Sequence, residues 1–307
     1  MQRMTVPFLA IILLLLTLGS TAAARNIFVN NVSGSDAAQG SMPQSVNPEN
    51  GPVQTLERAL RIAEPCDRIV LIPTGRPYRT SVSLAGKNCS GTEDAPFTIL
   101  GNGATLDGTQ PVPANAWEHY KEDVFRFQPP RVGFQCLYHD GKPVPRADMT
   151  GNVLPKLDPG QWCLFGPHIY FRVEKDRLPA EYDLSYGRYS TGITLLYVQN
   201  VVIQDVTVQG FRLDGISAIN NAHNVRLLRV TARGNGRAGV SIGNVSEVEI
   251  KDSLIGENHT AQVLTLPYSK TRVVNTQIVA TTAPAFDRRG GELNVEGGEV
   301  IEAKVSE

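Results

Sequence analysis

The sequence predicts an all-β solenoid, a parallel β-helix whose coils are made of strands alone. Three observations carry this reading. First, Ile203, Leu227, Ile250 and Val273 recur at steps of 24, 23 and 23 residues. Second, a separate column, Ile193, Ile216, Val240, Val263 and Phe286, keeps the same step, and Gly192, Gly215 and Gly239 precede three of its members. Third, the residues between these columns alternate apolar and polar over short runs broken by turn residues, with no helical stripe. One such unit cannot bury its apolar face alone, whereas stacked units bury a continuous column of Ile, Val and Leu. Leucine-rich repeats need a denser Leu pattern and an Asn or Cys position that this chain lacks. A propeller blade needs about 40–45 residues.

The chain opens with a predicted secretory signal over residues 1–24. Arg3 is its one charged residue, Phe8 to Leu18 is an apolar run, and Gly19 to Ala24 are small residues suited to cleavage. The run is too short to span a bilayer core of about 30 Å. The mature protein is therefore expected to be secreted or periplasmic, with no membrane association after cleavage. Residues 25–110 should hold an N-terminal cap and the first rungs. In this stretch Leu56, Ala59, Leu60 and Ala63 form the stripe of a short amphipathic helix, with Thr55 as N-cap and Pro65 as stop. Ile69 to Ile72, Ser81 to Ala85 and Phe97 to Leu100 read as strands. Residues 111–187 hold both tryptophans, Trp117 and Trp162, and read as a β-rich insertion with an aromatic core that includes Trp162. Residues 188–307 carry the repeated rungs and an acidic end.

Lys+Arg 29 against Asp+Glu 30 gives a formal net charge of −1, which argues against a nucleic-acid partner held by bulk charge. Four cysteines, Cys66, Cys89, Cys136 and Cys163, are an even count in an exported chain and predict disulfides. Three pairings are open, and pairing of sequence neighbours is preferred. The absence of a CxxC pair argues against a zinc site. Four Asn-X-Ser/Thr sequons begin at Asn31, Asn88, Asn244 and Asn258.

With the repeat in place, the chain resembles the right-handed parallel β-helix superfamily of secreted proteins that includes the pectate lyases. The resemblance is carried by Asn200–Asp205 with Gly215-Ile216 and their repeats. It is carried also by the opening from Phe28-Val29-Asn30 to Asp67-Arg68-Ile69-Val70-Leu71, and by Asp140-Gly141-Lys142-Pro143-Val144-Pro145-Arg146 with Leu157 to Trp162. It implies a right-handed coil of seven or eight rungs, with the Leu56 helix capping its N-terminal end. It also implies polysaccharide as the partner, and lyase or glycoside hydrolase chemistry if the protein is an enzyme. The motifs of several relatives are missing: the chain has no Asp-Asp pair, no Gly-His-Gly and no Asp-Pro-His-Asp.

Residues 224–246 form an unusual rung with Arg226, Arg229, Arg233 and Arg237 and no acid before Glu247. Guanidiniums bind carboxylate or sulfate bidentately, so Arg226, Arg229 and Arg233 are substrate-binding candidates for an acidic glycan. Elimination at a uronate needs a cation and a base, and Arg237 with His223 or Lys251 is the candidate set. For hydrolysis, which needs two carboxylates, Asp214 and Glu257 beside His259 are the nominees. The column Asp205–Arg229–Asp252–Asn275 reads as a ladder of opposite charges, with calcium between Asp205 and Asp252 as the other reading. No other cofactor or metal is called for, and a monomer is expected. The competing functional reading is a non-catalytic surface or matrix protein that only presents a binding face.

Overall fold

The computed structural model describes residues 24–302 except 148 and 150, so the predicted signal lies outside it apart from Ala24. The described chain is almost entirely β, with three long parallel sheets wrapped around one apolar core. Sheet A has eight strands, Asn26–Val29, Arg68–Leu71, Phe97–Leu100, Gln199–Gln204, His223–Leu228, Glu247–Lys251, Lys270–Val274 and Glu292–Glu296. Sheet B has six, running from Thr105–Asp107 to Glu299–Glu302, and sheet C has six, running from Val82–Ala85 to Phe286–Arg288. The chain visits C, A and B in turn, then starts the next coil.

Both sequence columns are strand registers. Ile203 pairs with Leu227, Leu227 with Ile250, and Ile250 with Val273 in sheet A. Ile193, Ile216, Val240, Val263 and Phe286 pair in succession in sheet C. Their side chains point into the coil, where Ile203, Leu227, Ile250, Ile216, Val240 and Val263 are all fully buried. Each such aliphatic side chain contributes about 1.5–3 kcal/mol by leaving water. The glycine column has a packing cause. A Cβ on Gly215 would lie 2.8 Å from the Gly239 carbonyl oxygen and 2.9 Å from Asn235 Nδ2.

The coils turn through residues in the left-handed region. Asp205, Arg229, Asp252 and Asn275 stack at one corner with φ between 46° and 53°. Asn and Asp tolerate this conformation through their short polar side chains, so Arg229 is the unusual member. The Arg229 guanidinium donates to both carboxylate oxygens of Asp205, at 2.6 and 3.0 Å. This is the predicted ladder over one step, and the Asp205 carboxylate is engaged by an arginine.

The solenoid has about five turns, fewer than the seven or eight expected. Of the first two strands of sheet A, Asn26–Val29 has no strand of its own in B or C and the coil of Arg68–Leu71 reaches sheet B only through the Tyr78–Leu106 bridge, and the insertion consumes length without adding a coil. The helix Leu56–Ile62 forms as predicted, with Thr55 Oγ1 accepting from the Arg58 N–H, and it buries Leu56 and Ala59 in the solenoid core.

The insertion leaves after Thr105–Asp107 and returns at Leu184–Gly187. Entry and exit pair antiparallel, Thr109 with Gly187 and Pro111 with Ser185. The chain therefore re-enters the coil where it left, and Ile193 stacks on Val82 as if nothing intervened. Two four-stranded antiparallel sheets fill the insertion. Trp162, Phe127, Phe171 and Tyr186 form its core, and the Trp162 indole N–H donates to the Val144 carbonyl at 3.0 Å.

The expected disulfides are a correction: all four cysteines are free thiols. Cys163 lies on the sheet face opposite Trp162, packed with Leu157 and Tyr170. Cys136 instead sits at the base of the insertion, its Sγ 3.9 Å from the Phe211 carbonyl oxygen. These are separate clusters, so sequence neighbourhood does not bring the two thiols together. Burial pushes the Cys136 thiol up to about 12 and the Cys163 thiol up to about 11, so neither is a ready thiolate. The Cys66 N–H donates to the Ser90 carbonyl, which sets Cys66 beside the Cys89 segment without a bond between them.

Candidate functional site in the seam between insertion and solenoid

The residues nominated as catalytic, Arg237, Lys251, His223 and Asp214, are dispersed over three corners of the coil. Arg237 and Asp214 lie in the B-to-C loops, just before strands Ala238–Ile242 and Ile216–Asn220. His223 opens a sheet A strand, is exposed, and meets the Asn221 side-chain oxygen at 2.8 Å. Lys251 closes the next sheet A strand, on the way to sheet B.

Asp214 and Arg237 do meet, but as a structural pair. Arg237 Nε donates to Asp214 Oδ1 at 2.8 Å and Nη2 to Oδ2 at 2.5 Å. The Ser241 hydroxyl adds a third donor to Asp214 at 2.8 Å. Asp214 is 1% exposed, and its hydrogen bonds hold the Arg237 guanidinium above the usual arginine range against the opposing effect of burial. A carboxylate so enclosed has no open face for a sugar.

The arginine rung is likewise spread around the circumference. Arg226 projects from the outer face of sheet A, Arg229 sits at the A-to-B corner on Asp205, and Arg233 projects from sheet B with its Nε donating to Gln209 Oε1 at 3.0 Å. On sheet A the outward column Arg226, Glu249, Arg272 alternates in sign, and Arg272 bridges Glu249 and Glu296. Consecutive arginines in one coil face different directions because the coil bends between them.

The groups that do converge lie where the insertion leans on the B-to-C loops. A pocket of about 260 Å³ is lined there by Gln135, Arg146 and Trp162 from the insertion, and by Glu257, His259 and Thr282 from the solenoid. A buried amide ladder fixes the solenoid side. Asn235 Nδ2 donates to Asn258 Oδ1 at 2.9 Å, Asn258 Nδ2 donates to Gln262 Oε1 at 2.9 Å, and the Thr282 hydroxyl donates to the Asn258 carbonyl at 2.8 Å. Asn258 is fully buried, which holds Glu257 and His259 on either side of it toward the seam and removes its sequon from reach. Glu257 has φ 58°, a turn conformation that a Glu seldom adopts.

Two interactions set the electrostatics. The Arg146 guanidinium lies 4.9 Å from the centroid of the Trp162 ring, and its Nη1 reaches the Gln135 carbonyl at 3.5 Å. Burial, helped by the nearby Arg146 charge, pushes His259 down to about 4 from an ordinary value of 6.5. His259 is therefore a neutral imidazole at neutral pH, with one nitrogen able to accept a proton. The pocket combines a fixed cation, a neutral base, a carboxylate and an indole.

A second pocket, of about 580 Å³, adjoins the first and shares Gln135 with it. Gln110, Arg131, Tyr186, Arg188 and Tyr189 also line it. Gln135 is 1% exposed, donates to the Arg131 carbonyl at 3.2 Å, and leaves its Oε1 without a partner. The two pockets lie on either side of Gln135, which contributes to the wall of each.

Glu257 and His259 were legible as a paired loop position, and Arg146 lies in a motif that carried the family resemblance. Arg131 and Arg188 fall outside the repeat and outside any motif, so nothing in the sequence marked them.

A family model described as "Right handed beta helix region" matches residues 184–288. No curated protein matches the sequence significantly. Among solved structures, one titled "Glycoside hydrolase" shares 11% identity at a TM-score of 0.64, over 91% of this chain and 78% of that one. The complex of XylC with xylose, at 11% identity and TM-score 0.42, covers 88% of this chain and 69% of the other. The pectate lyase Pel9A, at 11% identity and TM-score 0.35, covers 93% and 80%. At such identities the likeness concerns the fold. The protein is a right-handed parallel β-helix with an antiparallel β-rich insertion between its early coils.

Proposed function

We propose that this protein is a secreted, carbohydrate-active β-helix protein that binds an acidic extracellular polysaccharide along the seam and cleaves it by β-elimination. The observation that carries the reading is the convergence of Arg146, Glu257 and His259 on one pocket beside Trp162. The fold likeness to a structure titled as a glycoside hydrolase supports carbohydrate chemistry in general.

Elimination at a uronate removes the proton α to the carboxyl group. In this pocket that proton goes to the free nitrogen of His259. The C–H electron pair forms the ring double bond, the bond to the leaving glycosidic oxygen breaks, and that oxygen takes a proton from solvent. Arg146 opposes the negative charge that builds on the carboxyl group, in a site where burial strengthens the interaction. Glu257 accepts hydrogen bonds from ring hydroxyls and orients the sugar. Hydrolysis fits less well, because Glu257 is the one carboxylate among the described lining residues and hydrolysis ordinarily uses two.

The test is mass spectrometry of products from pectate, alginate, chondroitin sulfate and a neutral plant polysaccharide. Elimination yields fragments with an unsaturated end and no added water, and His259→Gln abolishes them. Fragments carrying one added water would establish hydrolysis and move the search to Glu257. Absence of products from all four, with intact binding, would favour the non-catalytic reading.

A further inference from the structure

The larger of the two seam pockets contains a concentration of positive charge that the elimination chemistry does not use. Arg131 and Arg188 line the 580 Å³ pocket, and both are exposed. No Asp or Glu lines it among the described residues. Arg212 packs behind the same wall: its N–H donates to the Tyr189 carbonyl at 2.8 Å and its Nη1 reaches the Val132 carbonyl at 3.5 Å. The Arg212 Nε is buried without an acceptor. Burial, with the charge of Arg131 adding to it, holds Arg212 below the usual arginine range. Like charges held together with no counterion are costly to fold, and an anion relieves that cost.

Three arginines on the coil are answered by acids, whereas Arg233 meets a glutamine instead. Arg229 has Asp205, Arg237 has Asp214, and Arg272 has Glu249 and Glu296. The arginines at the seam have no acid in the wall of their pocket among the described residues. Arg188 donates to Gln110 Oε1 at 2.6 Å and lies 5.6 Å from the Tyr189 ring centroid, which orients it while leaving its charge unanswered. The half-buried Tyr189 supplies aromatic surface beside it.

From this geometry we infer that the pocket lined by Arg131 and Arg188, with Arg212 behind its wall, is an anion subsite, which holds a carboxylate or sulfate ester on a sugar ring next to the one at His259. The inference rests on the reading of the seam as a polysaccharide groove. Gln135, shared by both pockets, sets the two sugar positions next to each other. A guanidinium pair recognises carboxylate and sulfate through the same forked donors, so the geometry selects an anion on a sugar, and the experiment separates the two sources.

The test uses the full chain and follows the arginine Nε–Hε signals by NMR, assigned with Arg131→Lys, Arg188→Lys and Arg212→Lys variants. The probes are glucuronate, glucose 6-sulfate and glucose. Saturable shifts of the three signals with one or both anionic sugars, and none with glucose, are expected. The sugar that shifts them identifies the anion. Arg131→Ala and Arg188→Ala should each weaken that binding roughly tenfold, the effect of losing a hydrogen bond to a charged group. Added salt should weaken it further. Equal shifts with glucose, no saturable shift with either anion, or unchanged affinity in both alanine variants would overturn the inference. In those cases, loss of polysaccharide cleavage on His259→Gln would still uphold the functional reading. If cleavage is absent while the arginine signals respond, the anion subsite stands and the reaction assignment falls.

Discussion

Arg237 grips the buried carboxylate of Asp214 from the next coil, through Nε at 2.8 Å and Nη2 at 2.5 Å. The two residues occupy equivalent loops 23 residues apart, so the pair staples successive coils at the B-to-C corner. Arg237→Ala leaves Asp214 buried with only Ser241 as a side-chain donor. We expect a loss of about 3 kcal/mol in denaturant unfolding, in the range for breaking a buried ion pair. Arg237→Lys keeps the charge but loses the fork, and should lose less. A catalytic role would instead appear as lost turnover at unchanged stability.

The His259 imidazole gives a pH signature. Its folded value, about 4, lies below its ordinary value of 6.5, so between these values the unfolded chain binds the extra proton. Stability from this group is complete above about pH 6.5 and falls as pH drops toward 4. His259→Gln should flatten that part of the stability profile. Urea unfolding at pH 7 and pH 4.5 for both proteins checks it.

The amide ladder is the support for the pocket. Asn258→Ala removes the partner of Asn235 Nδ2 and Gln262 Oε1, both buried. The expected cost is about 2–4 kcal/mol, since more than one buried polar group loses its bond. In a glycosylating host, peptide mass spectrometry should find Asn258 unmodified, because its side chain is enclosed.

Gly215→Ala places a methyl 2.8 Å from the Gly239 carbonyl oxygen. The neighbour is backbone, so the coil must shift, and we expect roughly 1–3 kcal/mol of destabilisation in thermal unfolding. Gly103→Ala meets nothing within 4 Å and tests backbone conformation alone, at φ 83°.

The coil was readable because its physics is periodic. Ile203 to Val273 and Ile193 to Phe286 each report the same repeated environment, and a repeated environment leaves a repeated residue. The site was readable only in part because it forms where two non-periodic contacts meet. Glu257 and His259 lie on the solenoid, so their rung position drew notice. Arg131 and Arg188 come from the insertion and its exit, and only the antiparallel closure of Thr109 on Gly187 brings them to the seam. The arginine rung misled because a sequence lists Arg226, Arg229 and Arg233 in a row, whereas the coil turns them outward in different directions. Arg237 misled for a different reason. Its partner one coil back, Asp214, was itself nominated as a catalytic group.

The most direct test of the seam as the working groove is a crystal structure of His259→Gln with a uronate-containing oligosaccharide. The account predicts sugar along the seam, one ring between Arg146 and residue 259 and the next ring's anion against Arg131 and Arg188. Sugar bound instead on the outer face of sheet A, across Arg226, Glu249 and Arg272, would contradict it.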